Sequence, residues 1–293
     1  MPKGKIIKAL SGFYYVQHEK DIVQCRGRGL FRKQKITPLV GDDVTFEYTD
    51  EGEGSITAID NRKNELSRPR VANIDQAIIV TSAKEPTWRS YLMDKFLVMI
   101  EAKEVEPVLF VTKMDLLTEQ EKEHVIQTFS YYQTIGYQVL FLSNEDGIDS
   151  DDVAPILDRK ISVFAGQSGV GKTSLLNTLI PGLKLETGDI SQSLGRGKHT
   201  TRHVEFIRFE NGYIADTPGF SALDFSEVDL DLLPACFPEF VNIQDECKFR
   251  GCLHLKEPHC AVKKAVDNGD IRSERYQNYV QFIEEIQQRK PRY

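Results

Sequence analysis

Apolar and polar residues alternate in short runs through roughly the first 66 positions of the chain. Lys5-Ile6-Ile7-Lys8-Ala9, Gly12 to Gln17, Asp21 to Cys25, Asp43 to Tyr48 and Gly54 to Ile59 each carry such a run, and turns rich in Gly and Asp separate them. A period of two puts every second side chain on one face of a strand, so five such runs predict a small β-barrel. An OB-like barrel is the leading expectation, and an SH3-like barrel gives nearly the same pattern. Asn64-Glu65-Leu66-Ser67-Arg68-Pro69-Arg70 reads as the linker that closes this region.

Past the linker the pattern changes. Ile74 to Thr81, Pro107 to Thr112 and Gln138 to Ser143 are compact apolar runs, as strands covered on both faces require. Arg89 to Lys103 and Thr118 to Thr134, lying between them, have helical spacing. A further strand, Ile161 to Ala165, runs toward a helix containing Ser174, Leu175, Leu176 and Leu179, and two more strands fall near His203 to Phe209 and Gly212 to Ala215. Strands alternating with helices predict a largely parallel α/β sheet over residues 67–225. Residues 226–293 form a third region, which ends in a charged helix from Ser273 to Arg289. Tyr276, Tyr279, Val280, Phe282, Ile283 and Ile286 make an apolar stripe on that helix, expected to pack against the rest of its own region. The fold class is therefore multidomain: a barrel over 1–66, an α/β domain over 67–225 and a mostly helical domain over 226–293.

Composition fits this division. A chain of 293 residues, 40% hydrophobic and 28% charged, is a soluble globular protein of two or three domains. No apolar run approaches the ~18 residues of a membrane span, and the start at Met1-Pro2-Lys3-Gly4-Lys5 lacks a signal-peptide core. The expectation is a cytoplasmic protein, and nothing in the chain asks for an obligate dimer, so a monomer is expected. A net charge of -7 excludes a uniformly basic coat but not a local one. Arg26, Arg28, Arg32, Lys33 and Lys35 cluster with Asp21 as the only nearby acid, and this segment is either an RNA-phosphate contact or a solvated strand and loop.

Four short motifs add chemistry. Gly166-Gln167-Ser168-Gly169-Val170-Gly171-Lys172-Thr173, followed by Ser174, sits after a predicted strand and before a predicted helix, the setting a phosphate loop needs. Its glycines let backbone N-H groups approach phosphate, Lys172 is placed to reach the terminal phosphates, and Thr173 to ligate magnesium. Asp216-Thr217-Pro218-Gly219 follows another strand, with Asp216 expected to hold magnesium through water and the Gly219 amide to sense the terminal phosphate. Thr112-Lys113-Met114-Asp115 supplies a base reader. The Asp115 carboxylate can accept from both the ring N-H and the exocyclic amine of guanine, a donor pair adenine lacks, and the Lys113 stem can lie over the purine. Ser143-Asn144 ends the next strand, where a backbone amide meets the guanine carbonyl.

Between phosphate loop and Asp216 lies Leu194-Gly195-Arg196-Gly197-Lys198-His199-Thr200-Thr201, where a first switch belongs. One of Thr200 and Thr201 is expected to complete the magnesium shell. Phe220 stands where many GTPases orient the attacking water with glutamine, so slow unassisted turnover is expected, with His199 a candidate catalytic group or simply an exposed histidine. The base reader precedes the phosphate loop, the reverse of the usual GTPase order. Cys247-x4-Cys252-x-His254-x5-Cys260 offers three thiolates and an imidazole, a closed tetrahedral shell for one structural zinc, with His259 as a spare. Cys25 and Cys236 read as ordinary small buried residues.

The barrel-like start, the permuted TKMD, GQSGVGKT and DTPG motifs, the GKHTT switch and the cysteine cluster together resemble the circularly permuted, small-ribosomal-subunit-dependent GTPases of bacterial ribosome biogenesis. The resemblance covers essentially the whole chain. It implies an OB fold, a zinc-binding last domain, action on the small subunit and its rRNA late in maturation, and GTP hydrolysis stimulated by that subunit. Ser143-Asn144-Glu145 departs from the commoner Ser-Ala-Lys base loop, and the specificity expected from Asp115 does not depend on it. The residues alone leave two other readings open: a nucleotide-regulated RNA-binding module with little turnover, and an ATP-driven RNA remodeller.

Overall fold

The computed structural model describes residues 1–33, 35–49, 52–67, 70–143, 150–180, 183, 204–216 and 225–289. They fall into two compact units. One comprises Met1–Ile78 with Asp146–Ala222, the other Ile79–Glu145 with Leu223–Tyr293.

The first unit opens with five strands, β1 (Lys3–Leu10), β2 (Phe13–His18), β3 (Asp21–Gly27), β4 (Asp43–Tyr48) and β5 (Gly54–Ile59), with a short helix α1 (Gly29–Lys33) after β3. They pair in the order β1-β2-β3-β5-β4, and β4 returns to β1 through Lys3↔Thr45, Gly4↔Val44 and Lys5↔Asp43. The β3–β5 pair is parallel and the others antiparallel, so the sheet closes as an OB barrel rather than an SH3-like one. Ile6, Val16, Val44, Phe46 and Ile56 fill it, the inward positions of the alternation.

Asn64 to Arg70 is not a plain linker. It carries β6 (Glu65–Ser67), which pairs antiparallel with β7 (Arg70–Ala72) and buries Leu66 against Val71 in register. Gly41 lies so close that a Cβ there would stand 1.9 Å from the Ala72 carbonyl oxygen, and its φ of +97° is in the left-handed region. Only glycine suits that position.

After β8 (Gln76–Ser82), whose Gln76 side chain donates to the Ile156 carbonyl and to Ser162 Oγ, the first unit resumes with α4 (Ser150–Leu157), β11 (Ile161–Ala165), α5 (Lys172–Leu179), β12 (Glu205–Phe209) and β13 (Gly212–Asp216). Strand β11 pairs parallel with β13, and β13 turns back antiparallel onto β12. Lys8 of β1 sits opposite Glu205 of β12 and makes a 2.8 Å ion pair with it, so the barrel and the β12–β13 hairpin share a sheet edge.

The second unit takes the end of β8, α2 (Ser90–Glu101), β9 (Glu106–Thr112), α3 (Glu119–Thr134) and β10 (Gln138–Phe141), with β9 between β8 and β10 and parallel to β10. Thr118 opens α3 with a capping box, accepting from Glu121 N while Glu121 accepts from Thr118 N. The unit is completed by α6 (Pro238–Val241), α7 (Ala261–Asn268) and α8 (Ser273–Gln287). The stripe on α8 buries Tyr279, Phe282 and Ile283, as its spacing predicts, but it packs on Val98 and Met99 of α2 as well as on Phe237, Phe240 and Val262 of its own segment. Among the described residues no helix is long and apolar enough to cross a membrane.

Candidate nucleotide and metal sites

Strand β11 is buried at every residue and delivers the chain into the loop Gly166–Gly171. Gly166, Gly169 and Gly171 have φ of 134°, 81° and 99°, values that L side chains rarely adopt, so the loop can curl as it does only with glycine at those places. Gln167, Ser168, Gly169 and Ser174 are exposed, Val170 is buried, and Lys172 and Thr173 open α5 at 8% exposure each. The Lys172 ammonium folds back over the loop and donates to the Gly166 carbonyl at 2.7 Å and the Gln167 carbonyl at 2.5 Å. Burial depresses its pKa to about 8. A buried cation beside an exposed glycine-rich loop at a helix start has the chemistry of an anion site.

The base-reading tetrapeptide lies at the end of β9 in the second unit. Thr112 Oγ donates to the Thr81 carbonyl at 3.0 Å, which fixes the strand end. Lys113 turns into the left-handed region with φ of 63° and starts a short 3-10 turn, Met114–Leu116. Met114 is buried, its N-H donates to the Leu142 carbonyl, and Asp115 is half-buried. Lys113 Nζ donates to the Glu85 carbonyl, and Lys84 Nζ donates to the Leu116 carbonyl at 2.8 Å. Ser143 follows β10 and is half-buried.

Asp216 ends β13, where its motif predicts it. Asn144, His199, Thr200, Thr201, Gly219 and Phe220 lie outside the described residues. In the barrel, Arg26 ion-pairs with Glu53 at 3.5 Å and lies over the Phe13 ring, and Arg28 pairs with Glu47, while Lys33 and Lys35 are exposed.

Cys247, Cys252, His254 and Cys260 converge, with ligand atoms all within 4.8 Å of one another. Cys247 Sγ lies 3.9 Å from Cys260 Sγ and 3.7 Å from His254 Nδ1, and Cys260 Sγ lies 3.3 Å from that nitrogen. Sulfurs on a tetrahedron with bonds of ~2.3 Å stand ~3.8 Å apart, so the donor set fits a tetrahedral ion. His254 is wholly buried with a φ of 56°, and its Nε2 lacks a hydrogen-bond partner. Without a cation, burial pushes the Cys252 thiol up to about 12 and Cys260 upward too. A bound divalent ion reverses that direction by stabilising the thiolates. Glu257 accepts from Leu253 N and Leu255 N and so shapes the loop around His254.

A network that the sequence did not announce lies behind this segment. Arg275 of α8, 2% exposed, donates to Asp94 Oδ1 of α2 at 2.6 Å and to both carboxylate oxygens of Glu239 in α6. Asn278 and Tyr132 also donate to Asp94, at 2.7 and 2.9 Å. The available signals were a carboxylate within the apolar Met93, Phe96, Leu97 face of α2 and a guanidinium beside Tyr276 and Tyr279 of α8.

Comparison with known proteins then decides the family. The RsgA GTPase family matches residues 59–226, and the RsgA N-terminal domain family matches residues 3–56. The chain belongs to the RsgA GTPase family. It is thus a GTP hydrolase. Chains from Shouchella clausii and Bacillus anthracis named small ribosomal subunit biogenesis GTPase RsgA are 54% and 56% identical over 293 residues, with 100% of each chain covered. The crystal structure of YloQ, described as a circularly permuted GTPase, is 47% identical with a TM-score of 0.85, covering 100% of this chain and 97% of that one. YjeQ from Thermotoga maritima is 37% identical with a TM-score of 0.87 and 99% coverage of both chains. The motif order of this RsgA-family chain accords with the circular permutation stated for YloQ.

Proposed function

We propose that this chain hydrolyses GTP to GDP and phosphate on the small ribosomal subunit, that the subunit stimulates the reaction, and that the step belongs to late maturation of that subunit. The observation that carries the reading is end-to-end similarity to proteins named for small-subunit biogenesis, in a chain that has both a phosphate loop and a guanine reader. The protein acts as a cytoplasmic monomer with ribosomal RNA as its partner. The barrel residues Arg26, Arg28, Arg32, Lys33 and Lys35 contribute phosphate contacts, for which Arg26 and Arg28 exchange their present carboxylate partners.

In this reading Gly166 through Ser174 and Gly219 cradle the phosphates, and Lys172 neutralises charge on the terminal ones. Thr112 to Asp115 with Ser143 and Asn144 read the base. Magnesium is held by Thr173, Asp216 and one of Thr200 and Thr201, and supplies charge neutralisation at the phosphates. One zinc is held by Cys247, Cys252, His254 and Cys260 and has a structural task, because the shell has no open position. Phe220 cannot orient water, so His199 in the first switch takes that task on the subunit.

The test is phosphate release with and without purified small subunits. Turnover is expected to be slow alone and to rise on the order of 10²-fold with them. Equal rates in both arms reject the stimulation.

A pH dependence follows from Lys172. Phosphate contact restores the ammonium, so the bound pKa exceeds the free value of about 8. Below pH 8 binding needs no proton. Above it the free lysine is neutral and binding takes one up, so GDP affinity falls by ~10-fold per pH unit. Titrations between pH 7 and 9 check this, and a flat profile removes Lys172 from the phosphate site.

A further inference from the structure

Helix α2 begins without a cap of its own: Arg89 at the N-cap position makes no side-chain cap hydrogen bond. Its first residue is held from elsewhere in the same unit. Ser90 Oγ donates to Glu274 Oε1 of α8 at 2.5 Å and accepts from Asn278 Nδ2 at 3.3 Å. One turn later Asn278 and Arg275 grip Asp94, and further along Tyr91 packs on Phe282 and Lys95 pairs with Glu285 at 2.7 Å. The seam runs along most of α2.

What precedes α2 is the segment that touches the base reader. Ser82 Oγ donates to the Glu85 carbonyl at 2.9 Å, and that carbonyl also accepts from Lys113 Nζ. Lys84 Nζ reaches the Leu116 carbonyl, and Ala83 N donates to the Thr112 carbonyl at 2.9 Å. Trp88 anchors the same segment on Phe129 and Tyr132 of α3, and Tyr132 donates in turn to Asp94. Residues 82–89 are therefore held at one end by the start of α2 and at the other by the turn that presents Lys113 and Asp115.

At its opposite face α8 holds the metal cluster: Tyr276 OH donates to the His254 carbonyl at 2.6 Å and Tyr279 OH to the Leu253 carbonyl at 2.7 Å. One helix thus touches both the cysteine loop and the start of α2.

We propose that α8 is a positioning element for purine recognition: Glu274 and Asn278 fix the first turn of α2, which places the 82–89 segment and with it the Lys113–Asp115 turn. The inference rests on the assignment of Asp115 as the base reader. It makes guanine selectivity depend on residues that lie more than 150 positions downstream and touch no nucleotide. Coupling through a continuous chain of packed and hydrogen-bonded groups is the physical route.

The experiment uses the full chain and compares GDP, inosine diphosphate, which lacks the exocyclic amine, and inorganic pyrophosphate, which has no base. Wild type is expected to prefer GDP over inosine diphosphate. The double variant Ser90→Ala with Glu274→Ala, at one half-buried and one exposed position, is expected to narrow that preference by about 5-fold with pyrophosphate binding unchanged. Glu274→Gln, which keeps the accepting oxygen, is expected to retain the wild-type preference. An unchanged preference in the double variant, or an equal loss for all three ligands, overturns the inference while leaving the base reader intact. A wild type with no preference for GDP over inosine diphosphate overturns the base-reader assignment and this inference together.

Discussion

Replacing Asp115 with Asn is expected to invert base selection, with GDP affinity falling by roughly 10²- to 10⁴-fold. The carboxylate accepts two hydrogen bonds from guanine, each worth about 1.5–3 kcal/mol when one partner is charged. An amide keeps one acceptor and sets an N-H₂ against a guanine donor, so one bond is lost and a repulsion is added. Xanthine carries a carbonyl where guanine carries its amine, and that oxygen accepts from the new amide. The Asp115→Asn chain is therefore expected to bind xanthosine diphosphate more tightly than GDP. The substitution leaves in place the turn's bonds from Met114 N to the Leu142 carbonyl and from Lys113 to the Glu85 carbonyl. Competition between the two diphosphates for the variant is the measurement. Undiminished GDP affinity would mean that another group reads the base.

The same residue shows why so much of the candidate site is legible in the sequence. Thr112 to Asp115, Gly166 to Thr173 and Cys247 to Cys260 are each contiguous or nearly so, because a phosphate wrapped by one loop or an ion held by one knuckle needs donors that are close along the chain. Their order alone showed the permutation. The barrel strands were legible because each has one buried face, which writes a period of two. The β6–β7 hairpin is not legible in Asn64 to Arg70 because each strand has three residues, too few to show alternation, and β7 buries the adjacent Val71 and Ala72.

The two compact units had no sequence signature. Residues 79–145 and 223–293 meet through α2, α3 and α8, and the contacts that join them are far apart along the chain, 190 positions for Lys95 and Glu285. A stripe on α8 announces that the helix is covered, not by what. Its spacing pointed to the cysteine-bearing segment, and the structure adds Val98 and Met99 of α2 because both partners offer apolar surface. Charged residues within such stripes carry the missing information. Asp94 sits on the apolar face of α2 and Arg275 beside Tyr276 and Tyr279 on α8, and each charge, costly when buried alone, implies the other.

That pairing sets the second large effect, on stability. Burial opposes the charge on Arg275, but the Asp94 and Glu239 carboxylates outweigh it and hold the guanidinium protonated with its pKa raised. Arg275→Met keeps most of the side-chain volume and removes the charge, leaving two carboxylates at 0% and 7% exposure without their cation. Breaking a buried ion pair from one side costs about 3–5 kcal/mol. Set against a typical total of about 5–15 kcal/mol, that is a large fraction. The midpoint of thermal unfolding is expected to fall by ~6–15 °C, with the loss centred on the unit formed by residues 79–145 and 223–293. Scanning calorimetry measures it. The control is Arg275→Met combined with Asp94→Leu and Glu239→Leu, which removes the stranded charges and is expected to recover much of the loss, since apolar groups of similar volume can replace a buried ionic cluster. A single variant as stable as wild type would mean that the carboxylates find other partners or take up protons at no measurable cost.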